Sequence, residues 1–273
     1  MNGGICIKFG IYLRKLEGWN QIQSSVSSMI SAVVCGDYGC PKVLPSVKEL
    51  IGFKTELLPS NIDVHYISPK ITQAMLAVEE PRILSIIESG ISVSINDWGL
   101  LYRLKEKIRP DHDIYLGRLL TKSIADWTWS NLFFEKENVA AIDYLSQNNF
   151  NHDLKIEYFK KWGIKGIEVN VHRRGETSYA YIQKQGFAII GYADKSIAAV
   201  SRVCPYLKME GMDYTSGDCT NLCTEESFLY PSDEKAQSVY PGMELHGNVI
   251  YINNQDEPLW KGYDKLIYMS LPS

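Results

Sequence analysis

Eight short apolar runs, rich in β-branched residues, recur along this chain, and segments of helical character separate several of them. The runs are Ile5–Phe9, Ala32–Val34, Ile62–Ile67, Ser92–Ile95, Ile114–Leu116, Ile164–Val169, Phe187–Ile190 and Leu266–Met269. In the segments between, apolar residues return every three or four positions, the period of a helix with one buried face. Leu13–Ile30 does so through Leu16, Trp19, Ile22 and Val26, and Pro69–Ser89 through Ala74, Val78, Ile83 and Ile87. Trp98–Lys107 and Asp153–Trp162 are shorter examples. Strands alternating with helices build a mostly parallel sheet covered by helices. Eight such units match an α/β fold of the (β/α)8 TIM-barrel-like type, which takes about 250 residues. An open doubly wound sheet is the alternative. No Gly-x-Gly-x-x-Gly follows a strand and no Walker loop is present, so a nucleotide fold has no signature here. The chain is expected to be a single barrel-like domain, 1–273. An insertion at about 204–258, after the seventh strand, breaks the rhythm and holds a small hairpin around Phe228–Tyr230 and Val249–Ile252. Long insertions in compact domains are more often functional than structural.

Composition bounds the function without choosing it. With 45% hydrophobic and 22% charged residues in 273, the chain has the balance of a globular domain able to bury its own core. A net charge of −4 does not support broad nucleic-acid binding. No apolar run approaches the ~20 residues of a membrane helix, and the N-terminus does not read as a signal peptide. A cytoplasmic location is therefore expected, with no membrane partner. In that compartment grouped cysteines more often bind metals or do chemistry than form disulfides.

Four of the six cysteines form the most informative pattern. Cys204, Cys219 and Cys223 share one stretch, and Cys40 stands far upstream after the second strand run. Thiolates are soft donors suited to iron–sulfur clusters and to zinc. A barrel opens both loops onto its C-terminal face, where sites are built. Cys6 and Cys35 lie in or at the end of strand runs and read as small buried hydrophobes. Zinc knuckles usually come as two close pairs. Spacing alone therefore places a four-iron four-sulfur cluster only modestly ahead of zinc.

The stretch from Gly186 to Cys223 resembles the cysteine signature of the peptidase U-32 (collagenase-like) family, and most closely that of its UbiU/UbiV-type iron–sulfur members. Cys204, Cys219 and Cys223 match it in order and approximate spacing, and Gly36-Asp37-Tyr38-Gly39-Cys40 matches the upstream Gly-x-x-x-Cys. Ile95–Leu101, Tyr115–Leu120 and Leu245–Tyr251 are similar to further family stretches. The resemblance implies a barrel-like fold and a 4Fe-4S cluster on Cys40, Cys204, Cys219 and Cys223. It also implies oxygen-independent hydroxylation of an aromatic ring or RNA base, with prephenate as an oxygen donor for several members. A protein partner of the same family, forming a heterodimer, is a further implication. The His-Gly pair of the peptidase-type members is absent; Gly191-Tyr192-Ala193-Asp194-Lys195 stands there. After the fifth strand, Thr121-Lys122-Ser123 replaces the usual asparagines.

Candidate catalytic residues are Asp97, Arg118 and Tyr192. Asp97 ends a strand run, where an aspartate before a helix is more often its N-cap. Asp37 is explained as well by turn chemistry. Arg118 leaves the fifth strand and can neutralise an acidic substrate or a reduced cluster. Arg202, just before Cys204, offers a second charge, and His172-Arg173-Arg174 suits a carboxylate or phosphate but reads equally as a solvated loop. No His-Glu-x-x-His or Gly-x-Ser-x-Gly is present, so zinc-peptidase and serine-hydrolase chemistry lack their motifs. The leading expectation is an iron–sulfur oxidoreductase acting on a small aromatic or anionic substrate. A collagenase-like peptidase and a non-catalytic, metal-stabilised subunit are the alternatives.

Overall fold

A computed structural model describes residues 8–26, 28–123, 139–172, 175–201, 203–212, 219, 223, 228–229, 243–254 and 262–269. Cys6, Arg173, Arg174 and Arg202 lie outside the described residues.

Twelve strands are formed among the described residues. They are β1 (Lys8–Leu13), β2 (Ala32–Gly36), β3 (Asp63–Ile67), β4 (Ser92–Ile95), β5 (Ile114–Leu116), β6 (Ile164–Asn170), β7 (Ala188–Tyr192), β8 (Lys195–Val200), β9 (Phe228–Leu229), β10 (Met243–His246), β11 (Val249–Asn253) and β12 (Lys265–Tyr268). The first seven and β12 close an eight-stranded parallel barrel in the order β1-β12-β7-β6-β5-β4-β3-β2. The TIM-barrel-like expectation is met.

Alternation along each strand decides which side chains enter the barrel. Val33, Cys35, Val64, Tyr66, Val93, Ile95, Ile167 and Val169 point outward and pack in the large core shared with the helices. Their neighbours Val34, Ile67, Ile190, Tyr192 and Ile267 fill the interior with Tyr12. Gly10 of β1 faces this interior, where an added Cβ would come within 2.6 Å of Ile267 Cδ1. The first strand runs on to Leu13, beyond the Ile5–Phe9 run read from sequence. Gly10 breaks the apolar pattern because it meets Ile267, its register partner on the neighbouring strand β12, a contact invisible to local reading.

The helices are α1 (Trp19–Val26), α2 (Val47–Leu57), α3 (Leu76–Glu88), α4 (Trp98–Leu104), α5 (Val139–Ser146), α6 (Asp153–Lys161), α7 (Glu176–Lys184) and α8 (Pro205–Met209). α2 was not anticipated, although Ser46 and Glu49 make a full capping box at its start. The first and third helices start later than their periodicity suggested, because 3-10 turns at Leu16–Gly18 and Gln73–Met75 precede them.

After β7 the pattern changes. A second, four-stranded antiparallel sheet runs in the order β8-β11-β10-β9. The hairpin here is β10–β11, and β9 pairs with β10 rather than with β11, correcting the expected pairing of Phe228–Tyr230 with Val249–Ile252. The excursion also begins at Lys195, before the first of its cysteines, because β8 supplies the edge on which β11 pairs. Ile197, Val249 and Tyr251 of this sheet pack onto Tyr12, Tyr38 and Tyr192. The small sheet therefore caps the C-terminal mouth of the barrel.

One backbone position tests the closure at the end of β2. Gly36 has φ +126°, and a Cβ there would stand 2.3 Å from Ile67 O. Gly36→Ala is expected to cost roughly 2–4 kcal/mol through φ strain and a clash with backbone. A urea midpoint within error of wild type would contradict this.

Candidate functional site

Under the capping sheet lies a fully buried guanidinium. Arg118, just past β5, donates from Nε to Tyr38 Oη (3.0 Å), and from Nη1 to Asn170 Oδ1 (3.1 Å) and to Lys195 O (2.7 Å). Among the described residues, its Nη2 meets only a thioether, Met269 Sδ, at 3.3 Å. The group lies over the Tyr192 ring, 3.6 Å from its centroid, with Tyr38 on another side at 4.8 Å. No carboxylate pairs with it directly among the described residues. Burying a charge this way is costly, and hydrogen bonds and aromatic faces offset part of the cost. Gly117 makes room for Asn96, whose Oδ1 would be 2.2 Å from an added Cβ. Asn96 Oδ1 accepts from Leu119 N and Asn96 Nδ2 donates to Ser68 O, which fixes the turn carrying Arg118.

Deeper inside, Tyr192 Oη donates to Glu168 Oε1 (2.8 Å). His65 Nε2 lies 2.7 Å from Ser94 Oγ and 3.3 Å from the same Glu168 oxygen. Burial pushes the Tyr192 phenol well above its ordinary range, and Glu168 adds to the shift. Among the described residues, the buried His65 Nδ1 and Glu168 Oε2 have no hydrogen-bond partner. This His–Glu pairing was missed from sequence. Its signal is an ionisable residue at an inward position between apolar neighbours, as in Val64-His65-Tyr66 and Ile167-Glu168-Val169.

Beside the mouth is a corner rich in thiols. Asp37 Oδ1 accepts from the backbone N–H of Gly39 (2.8 Å) and Cys40 (2.6 Å), the turn chemistry read from sequence. Asp37 Oδ2 pairs with Arg14 Nε at 2.6 Å. Arg14 Nη1 donates to Cys223 O (2.5 Å), and Nη2 lies 3.4 Å from Cys223 Sγ. Cys223 is buried with Tyr206 and Leu245, and Cys204 packs against that group as the N-cap residue of α8. Cys219 is half-buried. The same loop is also held by the β10–β11 turn: Asn248 Nδ2 donates to Gly39 O, and a Cβ on Gly39 would lie 2.8 Å from Asn248 Cβ.

The loop after β2 and the excursion after β7 thus bring Cys40, Cys204 and Cys223 to one end of the barrel. The donor set, soft thiols beside a guanidinium, suits a thiolate-bound cofactor. Among the described residues, no three His, Cys, Asp or Glu side chains already stand at the spacing of a metal's ligands. Burial pushes the Cys40 thiol up to about 11; Asp37 and Cys223 add to the rise, and Arg14 opposes it.

The remaining candidates have plainer settings. Asp97 Oδ1 accepts from Gly99 N and Leu100 N as the N-cap of α4. Cys35 is core: its thiol is pushed up to about 12 by burial and contacts His65 O at 3.7 Å. Lys122 Nζ donates to Ile197 O, and Ser123 Oγ lies 3.1 Å from His172 Nε2. No helix among the described residues is long and apolar enough to cross a membrane.

No family model matches the chain, and no curated protein matches its sequence. Among solved structures, the U32 peptidase Mk0906 is similar with a TM-score of 0.49 and 10% identity, over 100% of this chain and 96% of that one. An HpcH/HpaI aldolase from Desulfitobacterium hafniense DCB-2 is similar with a TM-score of 0.38 and 8% identity, over 96% of this chain and 86% of that one. The assignment of the barrel rests on its own strand order and register.

The raised Cys40 value has a pH consequence. Above the ordinary thiol value of 9.0 the unfolded chain gives up this proton, while the folded chain keeps it up to about pH 11. Stability from Cys40 is therefore full below about pH 9 and is lost, by about 2 kcal/mol, as the pH rises through about 11. Urea midpoints of the metal-free chain are expected to fall over that window, and less steeply in Cys40→Ala. Parallel slopes for the two chains would disprove it.

Proposed function

We propose that this chain is an iron–sulfur protein of the U-32 type, with Cys40, Cys204, Cys219 and Cys223 as ligands of a four-iron four-sulfur cluster at the barrel mouth. One observation carries the reading. Arg14 contacts Cys223 Sγ and pairs with Asp37, whose other carboxylate oxygen accepts from the Cys40 backbone N–H, so one guanidinium links the two cysteine-bearing segments. Bound there, the cluster supplies one-electron redox chemistry. The chain's own residues do the rest. Arg14 offsets the negative charge of thiolate ligands. The loop Asp37–Cys40 joins the thiol corner to the barrel, because Tyr38 Oη is held by Arg118. Arg118 gives an anionic substrate a cation whose Nη2, among the described residues, has only a weak thioether acceptor to lose. The capping sheet keeps water from this charge. Oxygen-independent hydroxylation of a small aromatic or anionic molecule is the reaction that agrees with these parts and with the sequence resemblance.

A second reading, a metal that only pins the excursion, is favoured by the packing of Cys223 and Cys204 with Tyr206 and Leu245. Anaerobic purification and reconstitution with ferrous iron and sulfide separates the two. About four iron and four sulfide per chain are expected, with a visible charge-transfer band and an EPR signal on reduction. Cys40→Ser and Cys219→Ser should each strip most of that iron. Zinc without sulfide would move the assignment to the structural reading, and a chain that takes up neither metal would end both.

A further inference from the structure

We propose that the cleft between the Leu16–Gly18 turn and α2 is a binding site for a free α-amino acid with a large apolar side chain. None of the four proposed cysteine ligands lines this cleft, so the inference stands independently of the cluster assignment.

The cleft has a volume of about 470 Å³, inside the range of small-molecule sites, roughly 300–1,000 Å³. Its apolar floor is drawn from three elements: Trp19 of α1, Val43 of the turn after β2 and Phe53 of α2. All three are buried. The Trp19 and Phe53 rings meet edge to face, with centroids 6.3 Å apart. Aromatic walls of this kind take an apolar body.

α2 turns one face to the cleft, with Gly52 and Phe53 at its centre and Glu56 one turn on. Gly52 sits in the middle of that helix, where glycine is less favourable than alanine. The fold gives no reason for it. At Gly10 and Gly36 an added Cβ would strike a neighbour, but at Gly52 it would meet nothing within 4 Å, and no left-handed φ is needed there. The glycine instead keeps the wall of the cleft open beside Phe53. A side chain at this position would take the space of a ligand's apolar body.

The rim carries both signs of charge. Lys15 and Glu17 flank Leu16 within one turn, and Glu56 stands along α2. Among the described residues, none of these three charged side chains has an ion-pair or hydrogen-bond partner. A cation and an anion two residues apart, held in one turn and unpaired, complement a molecule with adjacent carboxylate and ammonium groups. Lys15 meets the carboxylate and Glu17 the ammonium. A ligand of one sign would satisfy one of them and be opposed by the other. An α-amino acid satisfies both and lays its side chain on the Trp19–Phe53 floor in the recess at Gly52.

The test is calorimetric titration of the full-length chain with L-leucine and L-phenylalanine. The control probes are phenethylamine, 3-phenylpropionate and N-acetylphenylalanine amide, which lack the carboxylate, the ammonium and both. Saturable binding of at least one amino acid is expected, with each single loss of charge weakening it about fivefold and the capped probe weakest. Lys15→Gln should weaken phenylalanine but leave phenethylamine unchanged, and Glu17→Gln should weaken phenylalanine but leave 3-phenylpropionate unchanged. Gly52→Ala should melt above wild type without ligand and bind more weakly, and Gly52→Leu should lose binding. A merely structural glycine would not move stability and affinity in opposite directions. No saturable binding of either amino acid at millimolar concentration would overturn the inference. Binding that survives Gly52→Leu and both charge variants would overturn it too, as would a capped or singly charged probe that binds as tightly as phenylalanine. Should Gly52→Leu not fold, Gly52→Ala and the two charge variants decide.

Discussion

Closure of the barrel constrains everything else in this molecule. A parallel sheet closes only if its last strand returns between β7 and β1, and β12 does so through register with both. The chain leaving β7 at the mouth must therefore travel out, build something, and come back to the bottom edge before β12. What it builds is the β8–β11 sheet, anchored to the mouth where Ala193 N meets Ile267 O and Met269 N meets Asp194 Oδ1. Contacts hold the excursion over the β2 loop: Asn248 Nδ2 donates to Gly39 O, and Arg14 reaches both Asp37 and Cys223. The thiol corner follows from barrel topology and these contacts together.

The same closure creates the buried polar layers. Inward strand positions in a small barrel must be filled by side chains, since the interior is a packed core and not a pore. Here several of those positions are ionisable. Glu168, His65, Tyr192 and Arg118 occupy the axis and reach one another by hydrogen bonds, contacts and ring stacking. Such groups stabilise a fold less well than aliphatic packing of the same volume. Their placement beneath the capped mouth is consistent with a site where charge is handled away from water. Tyr38 joins this layer to the thiol corner, because the loop carrying its ring also carries Asp37 and Cys40.

Reading the residues in order recovered much of the frame and little of the wiring. Strand runs such as Ile62–Ile67 and Ile164–Val169 were legible because their outward positions, Val64, Tyr66, Ile167 and Val169, are apolar and pack beneath the helices. The end of β1 was misplaced because Gly10 interrupts its run for the sake of Ile267, far along the chain. The second sheet was only half visible. β8 reads as a continuation of an apolar segment, and its strand nature depends on β11 pairing with it. Arg14 went unnoticed for a similar reason. Nothing in Tyr12-Leu13-Arg14-Lys15 marks one basic residue as half-buried and its neighbour as exposed. Asp97, by contrast, was legible as a cap, since its bonds to Gly99 and Leu100 are local.

By itself, then, the sequence determined the alternation of strand and helix, the barrel class, and the presence of a late segment carrying grouped thiols. These are set by short-range periodicity and by residue chemistry. Only the tertiary structure decided that His65 meets Glu168, that Arg118 lies against Tyr192, and that Arg14 bridges Asp37 and Cys223. Those pairings join residues far apart in the chain. They exist because strand register and barrel closure fix the positions of backbone segments that no local pattern relates.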